Sequence, residues 1–223
     1  MSWDDLGNPV PYPTVEIYPA RAWPKGKVQL LPAEACIETA KFADVVASRR
    51  SRRAFGRLDA VQLSRLLSLT CRTQHTLEHS FGFPLSLRPA PSAGAIHPIH
   101  VILGSSDQRS WQRYDPWRHS LVDLISEVDL SEVRTALNVL VSGEEGTLIL
   151  FAAEPHKTLH KYEHGSSLVW RDAGVLQGYF ALAAEALQLN FCLLGVTGEP
   201  WVSRLVGGLH LAGVGAAYVG SRL

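Results

Sequence analysis

Arg49-Arg50-Ser51-Arg52-Arg53-Ala54-Phe55 crowds four guanidinium groups and a hydroxyl into seven residues. Like charges this close repel one another unless an anion stands among them, and each guanidinium presents a fork of donors matched to phosphate oxygens. A phosphate of about −2 charge neutralises two or three such groups in a protected site. On the cluster alone, a solvated basic turn and a weak nucleic-acid patch stay open as alternatives. The rest of the chain argues against the second: 21 Lys and Arg balance 21 Asp and Glu, leaving no general field for a polyanion, an anionic lipid or an acidic tail.

Upstream, Ala35, Ile37, Ala40, Phe42, Val45 and Val46 recur at spacings that predict a helix over residues 33–48, running into the arginines. Before it, prolines at 9, 11, 13, 19 and 24 alternate with Tyr12, Tyr18 and Trp23, which predicts an irregular arm over residues 1–32. Its aromatic rings either pack on their own domain or wrap a second subunit. Residues 33–223 form the domain proper. At 223 residues, 46% hydrophobic and 19% charged, the chain is neither disordered nor fibrous and supports one substantial core.

Downstream, Asp59 is placed to cap a helix carrying Val61, Leu63, Leu66, Leu67 and Leu69. Residues 73–91 show no period and read as loop. Strands are predicted at 96–103 and at 111–121, the latter broken by Asp115-Pro116, and an amphipathic helix at 129–141. The continuous apolar run 147–153 is the predicted central strand. Residues 171–188 form the strongest helix, followed by strand or turn at 189–195, a short helix after Pro200 and a last strand at 214–219. With no repeat and no low-complexity tract, the fold class is α+β.

Cys36, Cys71 and Cys192 are odd in number and far apart, so neither a disulfide framework nor a zinc site is written here, and a reducing compartment fits. Apolar stretches break well short of the roughly 18 to 20 residues a membrane span needs. Met1-Ser2-Trp3-Asp4-Asp5 is acidic where a signal peptide is basic. The expectation is a soluble, cytoplasmic protein.

Three further stretches carry candidate chemistry. Pro91-Ser92-Ala93-Gly94 is a run of small residues leading into a strand, where peptide groups and the Ser92 hydroxyl are free to meet the polar edge of a flat ligand; an ordinary tight turn is the alternative. Lys161-Tyr162 pairs a base or electrostatic clamp with a proton donor. His156, His160 and His164 around it stand at i, i+4 and i+8, yet no cysteine completes a metal set and Gly165 is placed to end any helix, so no metal is assigned. At Leu194-Gly195 an apolar strand breaks at a glycine that exposes a backbone N–H to a ligand, or simply turns. Arg222 either extends into solvent or adds a positive group to an anion site. Trp111, Trp117, Trp170 and Trp201 read as core or interface rather than as a platform for bases.

Taken in order, the Arg-Arg-Ser-x-Arg-x-Phe run, Pro-Ser-x-Gly-Ala, Tyr114-Asp115-Pro116-Trp117-Arg118-His119-Ser120-Leu121, Lys161-Tyr162, the Asp-Ala-Gly helix and a glycine after an apolar strand resemble the nitroreductase-like FMN enzymes. Within them, the Tyr-x-Pro-x-x-His-x-Leu segment and Lys-Tyr look like the SagB-type dehydrogenase branch, including the McbC-like azoline oxidases. The resemblance covers residues 45–223. It implies a homodimer with a central mixed sheet flanked by helices and FMN held non-covalently at the subunit interface.

By the same resemblance, Arg49, Arg50, Ser51 and Arg53 would hold the phosphate and ribityl chain, with Arg222 as a further contact. Pro91, Ser92, Ala93 and Gly94 would line the isoalloxazine from the second subunit, and Leu194 and Gly195 would lie by flavin N5. The implied reaction is oxidation of a thiazoline or oxazoline to a thiazole or oxazole in a peptide or biosynthetic intermediate. Lys161 and Tyr162 are the candidates for base and proton relay, the lysine activated by burial beside the arginines, and other enzymes of a pathway are the implied partners. Two departures stand out: Glu163-His164-Gly165-Ser166 lacks the arginine that commonly follows Lys-Tyr, and Gln177 replaces an asparagine. An NAD(P)H-dependent nitroreductase or quinone reductase, and a non-catalytic scaffold subunit, are the alternatives.

Overall fold

The computed structural model describes residues 5–19, 22–33, 36–77, 81–105 and 110–223. Its strands are β1 (Val10–Pro11), β2 (Val28–Leu30), β3 (His75–Leu77), β4 (Leu85–Leu87), β5 (Ile99–Gly104), β6 (Trp111–Asp115), β7 (Ser120–Leu124), β8 (Thr147–Ala153), β9 (Tyr162–Glu163), β10 (Leu189–Leu194) and β11 (Ala212–Ser221). The helices are α1 (Phe42–Ser48), α2 (Ala60–Thr70), α3 (Leu130–Asn138), α4 (Pro155–Leu159) and α5 (Ser166–Ala186).

Seven strands form one sheet in the order β10-β11-β8-β5-β6-β7-β2. Each pairing between its described strands is antiparallel. All seven residues of β8 are buried, as a strand covered on both faces requires. Its alternate residues feed two cores: Ile149, Phe151 and Ala153 meet Phe180 and Ala184 of α5, while Leu148, Leu150 and Ala152 meet Val133 and Leu137 of α3 and Val202. Asp59 caps α2 by accepting from the Gln62 N–H at 2.7 Å, while the Gln62 side chain returns a bond to the Asp59 N–H.

The sequence and the structure part company at five places. The helix expected over 33–48 is only α1: the described residues before it are mostly exposed, residues 34 and 35 lie outside the description, and the Ala40 N–H is taken by the Ala186 carbonyl at the end of α5. The stretch read as loop over 73–91 contains the β3–β4 hairpin. The strand broken at Asp115-Pro116 is the β6–β7 hairpin, paired from Trp111–Leu124 to Asp115–Ser120, with Asp115 Oδ1 accepting the Trp117 N–H at 3.0 Å across the turn. Helix α5 starts at Ser166, ahead of the expected 171, and Gly165 precedes a helix instead of ending one. Consequently His156, His160 and His164 do not share a helix face: α4 ends at Leu159 and β9 intervenes. No group of three metal-ligating side chains is found among the described residues.

The arm folds onto its own chain where it is described. Val10 and Pro11 pair with Glu163 and Tyr162, the Tyr12 N–H donates to the Lys161 carbonyl, and the Tyr18 hydroxyl donates to Glu154 Oε1 at 3.0 Å. It therefore covers the Lys161-Tyr162 segment. No helix among the described residues is long and apolar enough to cross a membrane.

Candidate active site

Strand β10 is an edge of the sheet and carries one half of the site. At its start the Arg52 N–H donates to the Phe191 carbonyl at 3.0 Å, and Asn190 Nδ2 donates to the Ala54 carbonyl at 2.5 Å, so the arginine run lies along this edge. Gly195 follows the strand's last residue, four positions after Phe191, or about 13 Å at strand rise. It is exposed, and a Cβ placed on it would meet nothing within 4 Å. Leu194 beside it is buried.

The arginines are not equivalent. Glu185, buried near the end of α5, pairs with Arg52 at 3.4 Å and with Arg222 at 2.9 Å. Burial opposes its charge, but the two guanidinium groups more than offset that and hold its carboxyl below the ordinary range. Arg50, exposed, turns back onto the carbonyls of Ala47 and Arg49 and closes the end of α1. Neither Arg49 nor Arg53 has an ion-pair partner among the described residues, and Ser51 is exposed next to them. Arg222 is no free terminal side chain: Nη1 donates to Gln188 Oε1 at 2.5 Å, yet its buried Nε has no hydrogen-bond partner. An orphaned donor and two unpaired guanidinium groups beside an open strand edge fit a phosphate ester.

The other half gathers at the opposite end of α5. Asp172 accepts from the Ser92 hydroxyl at 2.5 Å and from the Ala93 N–H at 3.1 Å, and the Ser92 oxygen in turn accepts the His97 N–H at 3.0 Å. The Ser92 hydroxyl is thus engaged within the chain instead of free for a ligand. Burial raises the Asp172 carboxyl above its ordinary range despite these bonds. Gly94 adopts φ +62, and a Cβ there would stand 2.9 Å from Lys161 Nζ and 3.0 Å from the Tyr162 hydroxyl. The left-handed φ favours glycine, while the Lys161 Nζ contact involves the end of a flexible side chain that can move aside. Lys161 Nζ lies 4.8 Å from the Phe81 ring centre and 5.2 Å from that of Tyr162. Its neighbours are rings, not the arginines. Along α5, Asp172 and Glu185 are thirteen residues apart, about 20 Å at helical rise, so the arginine half and the Gly94–Lys161 half are widely separated within one chain.

A model described as the Nitroreductase family matches residues 46–215. The chain belongs to the nitroreductase family. A search of curated proteins finds no match. Among solved structures, a protein described as a nitroreductase from Ralstonia eutropha JMP134 superposes with TM-score 0.67 at 17% identity, covering 94% of this chain and 99% of that one. The Escherichia coli microcin synthetase McbBCD complex with truncated pro-MccB17 bound gives TM-score 0.61 at 15% identity, covering 87% and 78%. A nitroreductase with bound FMN from Bacteroides fragilis NCTC 9343 gives TM-score 0.51 at 14% identity, covering 83% and 90%. These likenesses are of fold.

For this nitroreductase-family chain, sequence reasoning singled out Arg49, Arg50, Ser51, Arg53, Leu194, Gly195 and Arg222, which fall in the first half of the structure, and Pro91, Ser92, Ala93, Gly94, Lys161 and Tyr162, which fall in the second. It passed over Asp172 and Glu185, which position those halves. A signal existed: each is an acid on the inward, otherwise apolar stripe of the strongest helix, a position that demands a partner. Gln177, on the same helix, donates to the Val214 carbonyl at 2.8 Å beside the bulge of β11, which accounts for a long amide at that position.

Proposed function

We propose that the chain is an FMN-dependent oxidoreductase of the SagB/McbC type that oxidises a thiazoline or oxazoline, in a peptide or biosynthetic intermediate, to the aromatic azole. The observation that carries this reading is the convergence of Lys161 Nζ and the Tyr162 hydroxyl on Gly94, in the turn that the site requires. The oxidation removes one proton and one hydride from the ring. When bound, FMN supplies the hydride acceptor and passes the electron pair to oxygen. Lys161 takes the ring proton at Nζ and the Tyr162 hydroxyl relays it outward. Arg49, Arg53, Ser51 and Arg222 hold the phosphate end of the cofactor, and Leu194 and Gly195 border its ring.

A homodimer follows from the same reading. With about 20 Å between the two halves in one chain, a single site takes the arginines and Gly195 from one copy and Pro91, Ala93, Gly94 and Lys161 from the other. The exposed apolar side chains Phe42 and Val46 on α1, and Trp170, Val175 and Tyr179 on α5, give a second copy a surface to cover. The microcin synthetase neighbour supports a peptide substrate and further pathway enzymes as partners. Three free cysteines accord with a cytoplasmic setting.

Two substitutions test the assignment. Arg49→Ala with Arg53→Ala should lose the yellow cofactor on dialysis, because each charge-assisted contact contributes about 1.5 to 3 kcal/mol; full retention of colour defeats the phosphate assignment. Lys161→Ala should keep the flavin spectrum but slow azoline oxidation by about a hundredfold or more; unchanged turnover removes Lys161 from the chemistry. The missing arginine after Lys161-Tyr162 favours a second reading, an NAD(P)H-dependent nitroreductase or quinone reductase. Rapid bleaching of the flavin by NAD(P)H in stopped flow, with no azoline required, would select it.

A further inference from the structure

Strands β5 and β6 pair only at Ile102–Arg113 and Leu103–Gln112, whereas β6 and β7 pair along five residues. Beyond Arg113 the sheet parts, and a cavity of about 240 Å³ occupies the opening, bordered by His100 and Val101 on one bank and by Arg113 and Tyr114 on the other. Arg88 also borders it, arriving just after β4. A cavity this small keeps any occupant near both arginines.

Neither guanidinium has a carboxylate at ion-pair distance among the described residues. Arg113 Nε is buried without a hydrogen-bond partner, and its Nη1 makes only a long 3.4 Å contact to the Tyr114 carbonyl. Arg88 has a single bond, from Nε to the Ser86 hydroxyl at 2.9 Å, and burial brings its guanidinium down to about 10. The other charges around the cavity are already engaged. Lys157 and His100 both hold Glu154, at 2.9 and 3.1 Å, Asp172 serves Ser92 and Ala93, and Asp115 Oδ1 accepts the N–H groups of Trp117 and Arg118. With Lys157 set against Glu154, and Asp115 and Asp172 set against the two arginines, the formal charges around the cavity balance, and what stays open is the donor capacity of the two guanidinium groups. Trp23, Phe83 and Trp117 give the remaining walls aromatic surface, with the Arg113 guanidinium 4.8 Å from the centre of the Trp23 ring and Lys157 Nζ 5.4 Å from that of Phe83.

We infer that this opening in the sheet is a binding site for a small aromatic carboxylate, its anionic group held by Arg88 and Arg113 and its ring lodged against Trp23, Phe83 and Trp117. A carboxylate supplies the acceptor that the buried Arg113 Nε lacks, and the guanidinium fork matches its two oxygens. The flat, apolar body suits aromatic walls that a hydrated inorganic ion leaves unused. The cavity adjoins the proposed flavin site, since Pro91, Ser92 and Asp172 border it, but neither Lys161 nor the arginine run at 49–53 takes part.

Titration calorimetry of the flavin-loaded protein with sodium benzoate, at fixed ionic strength, tests it, with benzamide as the neutral isostere. The expected result is saturable one-site binding of benzoate, at least tenfold weaker binding of benzamide, and at least tenfold weaker benzoate binding in Arg113→Met and in Arg88→Met. Lys161→Ala should bind benzoate like the unaltered protein, and the flavin absorbance should not move during the titration. Absence of binding, or equal affinity for benzamide, overturns the proposal. So does a flavin spectral shift that titrates with benzoate and vanishes in Lys161→Ala, which would place the ligand on the cofactor. Should a methionine variant fail to fold, the benzoate–benzamide comparison on the unaltered protein decides alone.

Discussion

His97 is an imidazole without a charge at neutral pH. Burial, with Arg88 adding to it, pushes its pKa down to about 3, although its Nε2 lies 2.8 Å from the Ser86 carbonyl. Unfolded, the same ring titrates near 6.5. The stability it contributes is therefore complete above that value and drains away as the pH falls towards 3, at up to about 1.4 kcal/mol per pH unit, because the unfolded chain takes the proton first. Thermal melts between pH 7 and pH 4 should show this slope, and His97→Gln should flatten it; parallel profiles for the two proteins would refute the assignment. Tyr114 and His119 teach a related lesson. As letters they belong to a motif known only by resemblance. In the fold, the Tyr114 hydroxyl lies 2.8 Å from His119 Nδ1 across the β6–β7 hairpin, and His119 Nε2 lies 2.7 Å from the Ser64 hydroxyl of α2, which bonds onward to the Pro32 carbonyl. The motif ties a hairpin to a helix through buried polar groups, each satisfied by the next.

Helix α5 is the element on which the site is built. Its apolar stripe is plain in the sequence, and Ala173, Leu176, Phe180, Ala183 and Ala184 all face the core. What periodicity does not disclose is that two acids on that side each hold a loop. Asp172→Ala would leave the Ser92 hydroxyl and the Ala93 N–H without their acceptor, at a cost of about 1 to 3 kcal/mol, and would free the turn that carries Gly94. Calorimetry should record the loss of stability together with slower turnover, while a melting temperature equal to that of the unaltered protein would argue that the turn is held by other means. The shortened α1 and the β3–β4 hairpin show the reverse case. An apolar period runs over residues 33–41 of the sequence, yet the described residues 36–41 are mostly exposed and the Ala40 N–H goes to α5 instead. The hairpin formed without period because three-residue strands are too short to show one.

At the scale of the molecule, the separation of the two halves along α5 has a measurable consequence. A chain carrying Arg49→Ala and Arg53→Ala, co-expressed with a chain carrying Lys161→Ala, should recover activity that neither variant has alone. Random pairing makes half the dimers mixed, each with one intact site, so about a quarter of the unaltered activity is expected. No recovery in the mixture, with mixed dimers demonstrated by affinity tags, would mean that each site is built within one chain. By itself, the sequence determined the α+β class, the central strand over 147–153 and the principal helices, because hydrophobic period and capping residues are local properties, and it offered the site candidates through charge density and resemblance. Only the tertiary structure decided which arginines are spent on Glu185, that Ser92 is bound to Asp172, and that β5 and β6 part to leave a cavity bordered by two arginines. Those outcomes depend on which buried polar group meets which, and residues distant in the chain settle that only when the sheet and its helices pack.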